Sequence, residues 1–516
     1  MSTYTPIDNV PKIRDTLRAG FATNRSKDVR YRKTQLLQLA YLLQDNKQRL
    51  VDALQADLHR PAAETFLVEI GASIKEALIA YKRVDKWAKP EGVPFDLLTF
   101  AMRGRTLKEP KGTVLIIGPF NYPLWCLFVP LVGAIAAGCA VCIKPSEVVP
   151  SVQDLIAELI PQYLDPDLYQ VVTAEVEGTT KLLELQWDHI MYTGNGSVGR
   201  LVATAAAKHL TPVSLELGGK SPVIVDDTAD LKVTARRVLW GKVINAGQTC
   251  VAPDYVLVTE GRQDALVDAL KEVHRDFYPQ NSVAESPDFS RLAADRHFER
   301  VKKLLNATKG EIVLGGEMDA SQKFIAPTIV KNVTFEDSLM EEELFGPVLP
   351  IIPIKDVQTA IDYINSKDRP LALYLFSTDD KLKKDILAKT ISGMAMINDI
   401  LMAAAVEGLG FGGTGAVNGA HNDKAGFDTF THRRSTVDVP GWLDYIVKFR
   451  FPPYTKEKEN LANKLSIPKI PYPRPGTQPP FGWEKWFTVF ILVGGLATAL
   501  TRKKGILGAG TNSGPA

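Results

Sequence analysis

GTVLIIGPFNYPLWCLFVPLVGAIAAGCAVCIKP, residues 112–145, decides the fold. GTVLIIG (112–118) and AVCIKP (140–145) are short Val/Ile-rich runs without polar alternation, and an apolar stretch of helical length, 123–138, joins them. A strand buried on both faces, a crossover helix and a second such strand form a βαβ unit with parallel strands. The alternation continues outward. LYQVVTA (168–174), HIMYTG (189–194) and PVIVD (222–226) read as strands, with helices over 151–163, 179–185 and 197–209 between them. A second block follows: YVLVTE (255–260), a long amphipathic region to about 306, then the strand candidates EIVLGG, APTIVKNV, VLPIIPI and ALYLFS. Strands alternating with helices make a sheet covered on both faces, so two α/β domains are expected.

Residues 1–90 read as helices, because RYRKTQLLQLAYLLQDNKQRLVDALQADL (30–58) repeats Leu and Ala at three- and four-residue spacing. The stretch 90–110, broken by Pro and Gly and then basic, reads as an excursion, a hairpin.

A chain of 516 residues with 45% hydrophobic and 23% charged residues can bury a large core. A net charge of +2 lacks the basic excess of a nucleic-acid binder. Four cysteines make no disulfide framework, and MSTYTPIDNVPKIRD has no secretory apolar stretch, which points to a reducing compartment. The seven histidines are scattered, with no H-E-x-x-H and no paired ligands, so no metal site is expected. From about 449 the chain turns proline-rich and reads as an extended linker. It leads to WFTVFILVGGLATAL, Trp486–Leu500, with Arg502, Lys503 and Lys504 beyond. This uncharged run is short of the roughly 20 residues of a full span. Snorkelling lysines extend its reach, and a membrane tail anchor is the expectation; a helix packed on the body or a partner is the alternative.

Several motifs carry chemistry. TGNGSVGR (193–200) follows a strand and opens a helix, with Gly194, Gly196 and Gly199 spaced as in a phosphate-binding turn; a tight strand–helix turn is the other reading. In CIKPSE, Lys144 and Glu147 emerge where a strand ends and could hold ribose hydroxyls, or be surface residues of a turn. In PFNYP, Asn121 could aim an amide N–H at an oxyanion or simply stabilise the turn. In SLELGGKSP, Glu216 sits in an apolar strand; desolvation would raise its pKa and suit it as a base, unless Lys220 pairs with it. Cys139 and Cys142 form C-x-x-C but run into an apolar strand, so they and Cys126 read as core. Cys250 ends the small-residue turn NAGQTC after a helix, and such a turn can present a reactive sulfur to a cleft.

Taken in order, PFNYP, KPSE, TGNGSVG, LELGGKSP, NAGQTC and EELFGPVLP resemble the NAD(P)-dependent aldehyde dehydrogenase superfamily over about residues 10–440. GQTCVAPDY, FDTFTHRRS and the apolar tail are most similar to its class 3 branch, the membrane-anchored fatty aldehyde dehydrogenases. The resemblance implies two doubly wound α/β domains with a β oligomerisation arm and a C-terminal transmembrane helix. It implies a cofactor-binding domain (1–91 and 111–218), a catalytic domain (219–414), an arm (92–110 and 415–440), a Pro-rich linker (441–480) and a tail anchor (481–504). It also implies a homodimer.

By the same resemblance Cys250, as an ionised thiolate, attacks the aldehyde carbon, and Asn121 with the Cys250 N–H forms the oxyanion hole. A hydride leaves, and Glu216 activates the water that hydrolyses the thioester. Glu343 and Phe345 hold the nicotinamide ribose, Lys144 and Glu147 the adenine-side ribose, and Gly194 and Gly199 lie by the pyrophosphate. A carboxylate at Glu147 would repel a 2′-phosphate, so NAD is expected, with NADP possible. The substrate implied is a long-chain fatty aldehyde, or else an apocarotenal or other isoprenoid aldehyde. A CoA-acylating enzyme and a non-catalytic membrane scaffold are the competing readings; Glu216 argues against the first and the intact nucleophile and base against the second. The catalytic domain would face the cytosol from the endoplasmic reticulum, with the mitochondrial outer membrane or peroxisome as alternatives. Gly410 and Ala403 depart from the proline and histidine common in the branch, near the substrate entrance.

Overall fold

The computed structural model describes residues 4–475 apart from 97–98, 280–281, 416–418 and 473. Five parallel strands form the first sheet, in the order Tyr169–Val171, Ala140–Lys144, Thr113–Ile117, His189–Gly194, Val213–Leu217. Chain order therefore runs outward in both directions from Thr113–Ile117, which makes a topological switch point there. Open α/β sheets bind ligands beyond the carboxyl ends of strands at such a point. PFNYP, KPSE, TGNGSVGR and LELGG all leave the sheet at those ends.

The crossover helix Trp125–Ala137 is buried from Cys126 to its last residue. It lies among the helices Val29–Asp45, Gly71–Trp87 and Asp423–Thr429, which explains why it carries no polar face. Cys126, Cys139 and Cys142 are buried, as their apolar settings require.

The second sheet has seven strands, in the order Glu311–Leu314, Thr328–Lys331, Val348–Ile354, Tyr255–Thr259, Pro222–Val225, Ala372–Phe376, Met394–Ile397. All neighbours are parallel except the edge strand Glu311–Leu314, which is antiparallel and bulged. Met394–Ile397 was not among the strand candidates; its residues are only partly buried, so its sequence lacks the dense Val/Ile signal.

The excursion forms a hairpin: Glu91–Gly92 pairs antiparallel with Arg105–Pro110, which also pairs with Thr431–Thr436. The described residues form two compact units, one within 4–95 and 104–437, the other within 96–103 and 438–475. In the second unit the extended-linker expectation is corrected: Lys456–Ser466 is a helix, its N-terminus capped by Thr455. KEKENLANKLS holds good helix formers with no Pro or Gly, and its flanking prolines had masked them. Among the described residues no helix is long and apolar enough to cross a membrane. The expected anchor, 481–504, lies outside them.

Candidate active site

The helix Leu231–Val243 runs into a turn in which Asn245, Ala246 and Gly247 have φ of 50°, 51° and 74°. A left-handed conformation costs a residue with a Cβ roughly 1–2 kcal/mol, so two in succession need compensation. Hydrogen bonds provide it. Asn245 N donates to Glu64 Oε2 at 3.0 Å, and its Nδ2 donates to the carbonyls of Asn121 at 2.9 Å and Gln248 at 3.0 Å. Gln248 Nε2 donates to the Asn245 and Arg291 carbonyls at 3.1 and 3.0 Å, while its Oε1 accepts Ala293 N at 2.9 Å. Beyond the cysteine, the Tyr374 hydroxyl donates to the Val251 carbonyl at 2.5 Å. Gly247 could not be larger, because a Cβ there would overlap the Gly346 carbonyl. Cys250 leaves this braced turn half-buried, while the other three cysteines are fully buried.

Two of the expected partners come to the same place. Asn121, 4% exposed, donates Nδ2 to the Gln248 carbonyl at 3.0 Å, so the PFNYP loop is tied to the cysteine turn. The adjacent Tyr122 hydroxyl meets Thr249 Oγ1 at 2.7 Å. Glu216 is 3% exposed, and among the described residues neither carboxylate oxygen has a hydrogen-bond partner. Its alternative as an ion-pair partner of Lys220 is closed. Lys220 pairs with Asp254 and donates to the carbonyls of Leu339 at 2.9 Å and Glu342 at 2.8 Å.

Burial raises the Glu216 carboxyl to about 8, since an unpaired carboxylate pays for lost hydration. Burial, reinforced by the negative charges of Glu343 and Glu216, pushes the Cys250 thiol up to about 12. Both carboxyls thus lie within electrostatic reach of the sulfur. These surroundings favour the protonated thiol over the thiolate, chiefly through burial. Such a thiol reacts only if a base removes the proton. Glu216, with both oxygens free, has the chemistry of that base.

The aldehyde dehydrogenase family model matches residues 7–436. The chain belongs to that family. Family 3 supplies its similar relatives: aldehyde dehydrogenase family 3 member A2 of Rattus norvegicus is 44% identical over 87% of this chain and 92% of its own. Beta-apo-4'-carotenal oxygenase of Neurospora crassa is 41% identical over 98% of this chain and 93% of its own. Among solved structures, the substrate-bound state of Staphylococcus aureus AldH superposes with a TM-score of 0.85 at 40% identity, covering 89% of this chain and 99% of that one. This aldehyde dehydrogenase is an enzyme that oxidises aldehydes with NAD(P).

The residues present fit a dinucleotide. Lys144, 4% exposed, pairs with Glu147 at the end of its strand. Helix Gly196–Ala207 begins beyond the strand His189–Gly194, with Asn195 Oδ1 accepting Val198 N at 3.0 Å. A Cβ on Gly196 would meet only Arg200 Nη1, at 3.8 Å, so the helix N-terminus is open to a ligand. Gly194 and Gly199 serve packing: side chains there would press on Tyr192 and Leu217 respectively. On the other side, half-buried Glu343 lies against Gly218 so closely that a Cβ would overlap its carboxylate. Burial and Asp254 raise Glu343 to about 8. Phe345, with φ of 46°, sets its ring edge-on to Phe120 at 5.8 Å, next to Asn121. Asn245, Gln248 and Tyr374 were not singled out from the sequence; only the positions of Asn245 and Gln248 inside NAGQTC could have flagged them.

Proposed function

We propose that this aldehyde dehydrogenase oxidises long-chain apolar aldehydes to carboxylic acids through covalent intermediates on Cys250. Glu216 takes the thiol proton, and the sulfur adds to the aldehyde carbon to give a thiohemiacetal. The second N–H of the Asn121 amide and the Cys250 N–H receive the oxyanion. NAD(P), when bound, supplies the hydride acceptor; Glu343 and Phe345 hold its nicotinamide ribose, Lys144 and Glu147 its adenine-side ribose, with the helix opening at Gly194–Gly199 by the pyrophosphate. Loss of hydride leaves a thioester; Glu216 gives up the thiol proton to solvent, then draws a proton from the water that hydrolyses the thioester and returns it to the departing thiolate, freeing the acid and the thiol.

One observation carries this reading: Glu216, buried with two unpartnered oxygens, within electrostatic reach of a half-buried thiol. The test is NADH formation with hexadecanal. Cys250→Ser should abolish it, and Glu216→Gln should leave at most a slow single turnover with an acyl adduct detectable on Cys250 by mass. Full steady-state turnover in Glu216→Gln would remove the hydrolytic role.

Fatty aldehydes lead as substrates. Apocarotenals are the second reading, favoured by the match to beta-apo-4'-carotenal oxygenase over 98% of this chain, 508 aligned residues. The cofactor domain is assigned to 1–91 and 111–218, the catalytic domain to 219–414, and a dimerising arm to 92–110 and 415–440. Residues 481–504 anchor the enzyme to a membrane, with the endoplasmic reticulum first in order, because its substrates partition into lipid. A reporter fused to Trp486–Ala516 that stays diffuse in the cytosol would refute the anchor.

A further inference from the structure

One short segment reaches both catalytic loops. Arg60 and Glu69 are each 0% exposed and form an ion pair. The other terminal nitrogen of Arg60 donates to the main-chain carbonyl of Asn121. Its guanidinium lies over the Tyr122 ring, 4.8 Å from the centroid, and the Tyr122 hydroxyl meets Thr249. Glu69 Oε2 accepts Leu124 N at 3.0 Å and Trp125 N at 2.7 Å, the N–H groups that open the crossover helix. Glu64 Oε2 accepts Asn245 N at 3.0 Å, the first residue of the strained turn.

The local backbone makes this possible. Thr65–Ile70 is a π-helical turn, with Gly71 N donating to the Phe66 carbonyl. Residues five apart diverge on an α-helix, whereas the wider π turn brings Glu64 and Glu69 towards one side. Such turns are rare and concentrate at functional sites. Among the described residues, the Asn121 carbonyl thus takes hydrogen bonds from Arg60 on one side and from Asn245, in the cysteine turn, on the other.

We propose that Arg60 is a positioning residue. With Glu64 and Glu69 it holds the Asn121 amide in register with the Cys250 turn, so that the oxyanion donors and the sulfur keep one fixed geometry. The inference rests on the oxyanion role of Asn121. Its cost is readable in rate, since a displacement of about 1 Å at a reacting centre can lower turnover by roughly a hundredfold.

The test is a double-mutant cycle on the full chain with hexadecanal and NAD. Arg60→Lys keeps the buried charge for Glu69 but cannot grip Glu69 and Asn121 with separate nitrogens. It should lower kcat by about tenfold or more, with KM for NAD unchanged. In an Asn121→Ala background the same change should cost less than about twofold, because the group it positions is gone. An equal fractional loss in both backgrounds, or wild-type kcat in Arg60→Lys, overturns the proposal. If Arg60→Lys does not fold, Glu64→Ala decides. It leaves the Arg60–Glu69 pair intact, and its loss of kcat must likewise shrink once Asn121 is Ala. Wild-type activity in Asn121→Ala alone would instead overturn the oxyanion reading.

Discussion

Asn121 spends one amide N–H on the carbonyl of Gln248, at 3.0 Å, two positions before the sulfur of Cys250. The bond fixes the amide plane and leaves its second N–H for the proposed oxyanion. Asn121→Asp is nearly isosteric but offers an acceptor in place of that donor. Turnover should fall about 10²–10³-fold, while KM for NAD changes little. Single-turnover kinetics place the loss: it belongs in the first, acyl-forming phase. A defect confined to thioester hydrolysis would contradict the role.

As the proposed base, Glu216 should set the pH dependence. Its carboxyl is raised to about 8, so below that pH the base is largely protonated and activity rises with pH through this range. Stability runs the other way. The unfolded chain releases this proton near the ordinary carboxylate value and the folded enzyme near 8, so stability falls as pH rises between them. Glu216→Gln should therefore raise the melting temperature at pH 8, corresponding to a stability gain on the order of 1–3 kcal/mol, while activity collapses. A melting temperature unchanged from pH 5 to pH 9 relative to wild type would refute the buried-charge account.

The sequence carried much of this because strands buried on both faces advertise themselves. Thr113–Ile117 is dense in β-branched residues, Ala140–Lys144 and the start of His189–Gly194 are buried, and the candidate motifs lie at their carboxyl ends. Met394–Ile397 is an edge strand with half its pattern exposed, and it was silent for that reason. The helix Lys456–Ser466 hid between prolines. Arg60 gave no sign at all: beside Pro61 it looks like a surface residue, and only the π turn and the return of the chain at 121–125 bury it. Long-range partners of this kind have no local signature. The raised thiol of Cys250 was equally illegible, since it depends on burial and on Glu343, 93 positions away in the chain.

Cofactor choice turns on the Lys144–Glu147 pair. In the proposed site Glu147 would present a carboxylate to a 2′-phosphate, although its pairing with Lys144 offsets part of that charge. NAD should be preferred over NADP by about 10-fold or more in kcat/KM, and Glu147→Gln should narrow the ratio chiefly by lowering KM for NADP. If the ratio does not move in Glu147→Gln, the adenine-side ribose lies elsewhere.

Two glycines press on the two raised carboxyls and separate their roles. A Cβ on Gly218 would overlap the Glu343 carboxylate, and one on Gly419 would overlap Oε1 of Glu216. Neither glycine has the positive φ that would strain an alanine, so each substitution acts mainly by displacing its neighbour. Gly218→Ala should raise KM for NAD by about 5-fold or more, since the displaced group holds the nicotinamide ribose. Gly419→Ala should lower kcat by about tenfold and leave KM for NAD near wild type, because the displaced group is the base. The two effects should also differ in the pre-steady state: Gly419→Ala, which displaces a base used in both acylation and hydrolysis, slows both phases, whereas Gly218→Ala at saturating NAD slows neither. Exchanged phenotypes, with Gly419→Ala weakening NAD binding and Gly218→Ala slowing hydrolysis, would reverse the assignment of the two carboxylates.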